Sequence, residues 1–182
     1  MTAVMAEQRP ASVMASAAAG DAASFSLLVE PLLDPAFRLA AVMLADRAAA
    51  EDAVQEASIK AWRKLRQLRG DESALRPWFL SIVANECRMA RRQRWWSVIK
   101  LAETPSPAAE SAELYGGATT DVRRALLRLR PDDRLPLVLH FYLDLPLDEV
   151  ARALVVSEAA AKSRIYRAAQ RLRPELTMEE VF

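Results

Sequence analysis

One cysteine and one histidine are all the thiol and imidazole groups in this 182-residue chain. Cys87 alone excludes an internal disulfide, and Cys87 with His140 is too little for a zinc site built from such ligands. Any run of about eighteen apolar residues is also missing, which removes the usual membrane-spanning helix. Net charge is nearly absent: 25 basic against 24 acidic residues leave +1. Bulk electrostatics therefore announce neither nucleic acid nor an acidic partner, and any basic surface must be local. No nucleophile-base pair, Gly-rich phosphate loop or paired-carboxylate constellation stands out. Catalysis by this chain is not expected, and neither is a metal, a cofactor or a small-molecule substrate. The Ala-rich opening from Met1 to Ala23 carries only Arg9 as a cation and has no compact apolar stretch. It reads as a flexible tail rather than a signal peptide, and with the lone cysteine it places the protein in a reducing cytoplasm.

What is abundant is apolar side chain, at 52%, enough for one large domain or two small ones. Composition shifts at about Phe25, and again at "LAETPSPAAESAELYGGATT", Leu101 to Thr120, with its two prolines and its Gly116-Gly117 pair. That second stretch is linker chemistry. The expected organisation is a tail (1–23), a helical unit (24–96), a mobile tether (97–120), a second helical unit (121–176) and a short C-terminal tail (177–182).

Spacing makes both units helical, and strand alternation is absent. In "AEDAVQEASIKAWRKLRQL", Val54, Ala57, Ala61, Leu65 and Leu68 draw one apolar stripe over about five turns. Gly70 is a stop, Ser73 a possible cap, and a further helix runs from about Pro77 through "WFLSIVANECRMARRQR", with Trp78, Ile82, Asn85 or Glu86, and Met89 marking its turns. Upstream, "SFSLLVEPLLDPAFRLAAVMLAD" supplies one or two helices interrupted near Pro31 and Pro35. Trp62 and Trp78 are assigned to the core. For Trp95 and Trp96 in "RRQRWW", packing and DNA contact both stay open.

The second unit carries a sharper signal. "LDEVARALVVSEAAAKSRIYRAAQRL" gives a helix of two turns (Asp148 to Leu154), a break at Val155-Val156-Ser157 and a helix from Glu158 to about Arg173. This is helix-turn-helix spacing. Ala151 is small where the helices must meet. Ala161, Ile165, Ala168 or Ala169, and Leu172 form the inner stripe, and Ser157 caps the second helix. Lys162, Ser163, Arg164, Arg167, Arg171 and Arg173 remain outward, with Glu158 the one acid. Such a helix suits the major groove, its early side chains at base edges and its later ones at phosphates.

"AEDAVQEASIKAW", "LRPWFLSIVANECRMARR" and "LRPDDRLPLVLHFYLDLPLDEVARALVVSEAAAKSRIYRAAQRLR", in this order, resemble the extracytoplasmic-function (ECF) group of bacterial sigma factors. The resemblance covers both units. It implies an initiation subunit of RNA polymerase whose first unit opens and reads the minus-ten promoter element and whose second reads the minus-thirty-five element. The polymerase holds the two modules apart. Asp52, Gln55 and Glu56 would then dock on the clamp of the beta-prime subunit of core polymerase, which also presents its beta subunit; the same acids could merely favour a helix N-terminus. Asn85, Arg88, Arg91, Arg92 and Arg94 would hold single-stranded bases, helped by the loop "RGDESAL". Ser157, Glu158, Ala160, Lys162, Ser163, Arg164, Arg167 and Arg171 would face the upstream duplex. Promoter DNA and an anti-sigma factor complete the implied partners.

Several positions depart from the family pattern. Val155 stands where glycine is usual, so an altered turn is expected. Ala159-Ala160-Ala161 replaces Gly-Thr-Val, and Met89 a frequent aspartate. Two rival readings are a helix-turn-helix regulator that binds duplex without polymerase and a decoy for an anti-sigma protein. The retained basic residues rank the decoy last.

Overall fold

Eight α-helices and no strand form among the described residues, as the spacing predicts. The computed structural model describes residues 10–68, 72–100 and 120–177; within these, the side chains at 10–12, 94–100, 120, 121, 123 and 174–177 lie outside the description. The expected tether therefore falls mostly on residues outside it, as do the stop at Gly70, both extreme termini and the side chains of Arg94, Trp95 and Trp96.

The expected tail is helical from Pro10. Helix α1 (Pro10–Ala18) ends in a turn at Gly20, whose φ of +102° favours glycine, and Asp21 caps α2 (Ala22–Leu44) by accepting the Ser24 N–H at 2.7 Å. Ala-rich sequence alone does not hold a nine-residue helix. Packing does: Val13, Met14 and Ala17 form a satellite core with Leu28, Leu65 and Leu75.

Helix α2 is continuous through Pro31 and Pro35. The expected interruption fails because the carbonyls these prolines leave without a helical donor belong to residues 27 and 31, and 27, 31 and 35 share one helix row. Leu27 and Pro31 on that row are exposed, so this stretch of the helix faces solvent rather than the core.

Asp46 caps α3 (Arg47–Lys64), accepting the Ala49 N–H at 2.9 Å. Its buried row is Ala50, Ala53, Ala57 and Ala61, with Val54 only half-buried beside it. Four alanines let α2 and α4 approach the α3 backbone closely, so the smaller residues win the crossing. A 3₁₀ turn (Leu65–Gln67) follows, then another (Glu72–Ala74), then α4 (Leu75–Lys100). The inner face of α4 is Phe79, Leu80, Val83, Ala84 and Cys87 rather than the expected row: Trp78 and Ile82 are half-buried, while Asn85 and Met89 are exposed. Trp62 was expected in the core. It is instead 36% exposed, with its ring edge-on to Phe25 at 5.0 Å.

The second unit comprises α5 (Thr120–Arg128), α6 (Pro131–Leu137), α7 (Leu147–Leu154) and α8 (Glu158–Thr177). Helix α6 opens with Pro131, Asp132 and Asp133, a proline and two acids that suit a helix N-terminus, and runs into a π-helical turn, Val138–Tyr142. Ala151, Ala161, Ile165 and Ala168 are buried where α7 meets α8, as expected.

The two units were expected to stand apart as modules. Here they share one continuous apolar core that runs from Leu39 and Phe79 to Leu139 and Val150. Arg134, 3% exposed, sits at the joint. Its Nε donates to the Leu126 carbonyl at 2.8 Å; one terminal nitrogen serves Leu127 and Leu129 at 2.7 and 3.0 Å; the other serves Val42 and Met43 at 3.0 and 3.3 Å. These carbonyls lie at the C-terminal ends of α5 and α2, where helical partners run out and the dipole is negative. All five guanidinium N–H groups are thus occupied by two helix ends, one from each unit. Arg38 and Arg76 repeat the device at the π-helical turn, donating to the Tyr142 and Leu143 carbonyls at 3.2 and 2.9 Å.

Candidate nucleic-acid interface

Helix α7 ends and α8 begins within three residues. The Val156 N–H reaches the Ala151 carbonyl at 3.0 Å and the Val155 N–H the Arg152 carbonyl at 3.1 Å, a paired closure that requires a left-handed residue at Val155. Val155 takes it, at φ 54°, with its side chain 82% exposed. The turn is therefore not altered as expected. The β-branched residue carries a strain of about 1–2 kcal/mol, and the surrounding bonds enforce it. Ser157 then caps α8 as expected, its hydroxyl accepting the Ala160 N–H at 3.3 Å.

From this cap, α8 presents Glu158, Lys162, Ser163, Arg164, Arg167 and Arg171 outward, all exposed, with Ala160 partly covered. Arg171 bonds Asp133 of α6, and Arg167 donates to the Ser163 carbonyl at 3.2 Å. Burial would raise the Asp133 carboxyl, but hydrogen bonds from Arg130 and Arg171 outweigh it and hold the group below its ordinary value. So Arg171 braces α8 on α6, while Lys162 and Arg164 project into solvent. Sequence reasoning passed over Tyr166, 65% exposed on the same outward face. The available signal was an aromatic lying off the Ala161–Ile165–Ala168–Leu172 row.

On α4, Asn85, Arg88, Arg91 and Arg92 are all exposed. Two of these arginines are also tied to protein: Arg88 pairs with Asp132 of the second unit at 3.5 Å, and Arg91 reaches the Met43 carbonyl at the end of α2 at 3.5 Å. Arg92 rests on the Met89 sulfur at 3.0 Å. A groove of about 720 Å³ separates the start of α4 from the helix-turn-helix. Gln67, Leu68, Ala74, Trp78 and Ser81 line one wall, and Ala151, Arg152 and Val155 to Ser157 the other. The connection before α4 thus lies against the turn before α8.

Asp52, Gln55 and Glu56 form an exposed polar face on α3. Asp52 and Glu56 also border a groove against α4, where buried Glu86 pairs with Lys60. This buried pair was not anticipated, although Glu86 was one option for the helix row. Cys87 is fully buried, and desolvation, helped by the adjacent Glu86 charge, pushes its thiol up to about 12, so it is inert. His140 has a structural role: its Nδ1 faces the Leu145 carbonyl at 2.9 Å, which fixes a proton there, and its ring meets Phe141 edge-on. Among the described residues no cluster of three metal-ligating side chains occurs, and no helix is long and apolar enough to cross a membrane.

Fold and site define a two-unit helical DNA-binding protein ending in a helix-turn-helix. Residues 28–97 match the family model for Sigma-70 region 2, and residues 119–172 match that for Sigma-70, region 4. The ECF RNA polymerase sigma factor SigM of Mycobacterium tuberculosis is 30% identical over 167 residues, covering 91% of this chain and 84% of that one. The "Probable RNA polymerase sigma factor RfaY" of Xanthomonas campestris is 31% identical over 169 residues, covering 88% of this chain but 42% of that protein, so the chain spans less than half of that relative. Among solved structures, the sigma factor RpoE in complex with the anti-sigma factor NepR from Bartonella quintana is similar at a TM-score of 0.66 and 25% identity, covering 84% of this chain and 96% of that one. The chain belongs to the ECF sigma factors of bacterial RNA polymerase.

Proposed function

We propose that this chain directs core RNA polymerase to its promoters and divides the work among three faces. Helix α8, with Ser157, Glu158, Ala160, Lys162, Ser163, Arg164, Arg167 and Arg171, grips the upstream duplex. Asn85, Arg88, Arg91, Arg92 and Arg94 on α4 hold bases of the minus-ten element once the strands part. Asp52, Gln55 and Glu56 on α3 meet the polymerase. The observation that carries this reading is the exposed basic face of α8 on a complete helix-turn-helix, joined in one chain to a second unit with its own arginine-rich helix. Catalysis is left to the polymerase, and the site of action is the cytoplasm, where polymerase works.

The packed arrangement adds a step. Promoter elements about 25 base pairs apart are separated by about 85 Å of duplex at 3.4 Å per pair. A globule of this chain length is about 40 Å across. The two reading faces cannot serve both elements while the units share a core, so the units part when polymerase and promoter are engaged. An anti-sigma factor, like the one bound to the Bartonella relative, would act by holding the units in a form that polymerase does not accept.

The test is transcription from genomic fragments by core polymerase with and without the purified chain. Discrete new transcripts from a small set of fragments support the proposal. Selective binding of those fragments by the chain alone, with no polymerase-dependent transcript, would favour the regulator reading.

A further inference from the structure

The stretch of α4 proposed to hold single-stranded bases carries one large apolar side chain in the open. From Asn85 to Gln93 the exposed residues are Asn85, Arg88, Met89, Arg91, Arg92 and Gln93, and of these Met89 alone is apolar, at 38% exposure. A solitary exposed apolar residue needs no explanation. What singles out Met89 is its company. At helical spacing Asn85, Arg88, Met89 and Arg92 fall on one stripe, so Met89 stands between an amide suited to a base edge and two guanidinium groups suited to phosphate. Arg92 lies against it, a terminal nitrogen donating to the Met89 sulfur at 3.0 Å. A thioether is a weak acceptor, so the guanidinium can leave it for a phosphate oxygen. The stripe offers no carboxylate: Glu86, the one acid on this stretch, is buried and paired with Lys60.

We propose that Met89 is a specificity-determining residue for the minus-ten element and selects thymine at one position of the unpaired strand. This rests on the minus-ten reading of α4 above. A thioether donates nothing and accepts weakly, so an amino group of adenine, cytosine or guanine set against it gives up water without gaining a partner. Thymine is the one base that brings a methyl group instead. That methyl meets the Met89 side chain, while the neighbouring carbonyl oxygen accepts from Asn85 or from a guanidinium of the stripe. Met89 is among the chain's departures from the family pattern, so the preference belongs to this chain.

The experiment uses the full chain with core polymerase and a forked form of a promoter recovered by the transcription test above, its minus-ten stretch single-stranded. Each position of that stretch is filled in turn with thymine, uracil, adenine, cytosine and guanine, and equilibrium binding is measured. At one position the wild-type complex should hold thymine about threefold more tightly than uracil, the worth of one buried methyl group, and about tenfold more tightly than adenine or cytosine. Met89→Gln, of similar length and at an exposed position, should erase the thymine-uracil difference and most of the tenfold preference. Met89→Leu should keep both, with circular dichroism confirming the fold of each variant. Uracil held as well as thymine at every position overturns the proposal, as do base preferences that Met89→Gln leaves unchanged. Met89 also borders the groove that holds Asp52 and Glu56. Binding of core polymerase without DNA is therefore measured in parallel, and a Met89→Gln variant weakened only there assigns Met89 to the polymerase and overturns the proposal. A wild-type complex with no base preference at any minus-ten position removes the minus-ten reading itself and this proposal with it; a preference that survives Met89→Gln removes the proposal alone.

Discussion

The two arginine-bearing helices proposed to meet DNA stand in different states in the free chain. On α8, Lys162 and Arg164 stand in solvent and the cap at Ser157 fixes the helix start, so this face needs no rearrangement to meet a phosphate. On α4, Arg88 and Arg91 are engaged with Asp132 and with the end of α2, and the nearby connection borders a groove shared with the helix-turn-helix. One face is ready in the free chain, whereas the other takes part in holding the chain closed. Duplex DNA is available at any time, but single-stranded bases exist only after polymerase has acted. On the proposed division of labour, the α4 face can be occupied until then at no functional cost.

Removing the joint should give the largest effect. Arg134→Ala leaves carbonyls at two helix ends without their buried donor, and should cost on the order of 3 kcal/mol or more, seen as a fall of about 10 °C in Tm at this chain size. A change below 1 °C would mean that Arg134 does not hold the units together. The contrast between the helices is sharpened by paired substitutions. Arg164→Ala with Arg167→Ala should weaken upstream binding and lower its salt slope by about two units, one per phosphate contact. Arg91→Ala with Arg92→Ala should spare that binding and reduce permanganate reactivity of the melted region.

A smaller effect separates the two roles of Arg88. Arg88→Ala and Asp132→Ala both delete the same exposed pair, so each should change stability by less than about 1 kcal/mol. Only Arg88→Ala should impair opening; equal impairment by Asp132→Ala would make the pair itself the functional element. Acid gives another handle on the second unit. Asp133 has a folded pKa below its ordinary 3.8, so its contribution is complete above that value and lost as pH falls through the lower one. Asp133→Asn should flatten that part of an acid melt, and an unchanged acid limb would contradict the Arg130 and Arg171 bonds. Smallest of all, Val155→Gly should relieve backbone strain at an exposed position and raise stability by about 0.5–1 kcal/mol in chemical denaturation, after allowing for the greater freedom of glycine when unfolded.

The helix-turn-helix was legible because its signals are local: a cap residue at Ser157, a small residue at Ala151, and a row of Ala161, Ile165, Ala168 and Leu172 with basic side chains elsewhere. The phase of α4 was not, because Trp78, Phe79 and Leu80, and again Ile82, Val83 and Ala84, place apolar residues side by side. Helices α2, α3 and α7 all pack on α4 and decide which row turns inward. On α3 a row of alanines was outranked on paper by larger Val54, although close approach favours the smaller side chain. Helix α1 was read as a tail because its stability lies in packing on Leu28 of α2 and on Leu65 and Leu75 further along the chain, which its own Ala-rich composition does not announce. Arg134 gave no sequence signal, since a lone arginine between apolar residues reveals nothing of the two helix ends it will join.

The most direct test of the account is the separation of the two units. The native thiol is buried and unreactive, so Glu30→Cys on α2 and Phe141→Cys at the π-helical turn can carry a dye pair, both positions being exposed. Energy transfer should be high in the free chain, within a globule about 40 Å across, and should collapse when core polymerase and promoter are added together. Transfer that stays high in a transcribing complex would contradict the parting of the units and the division of labour built on it.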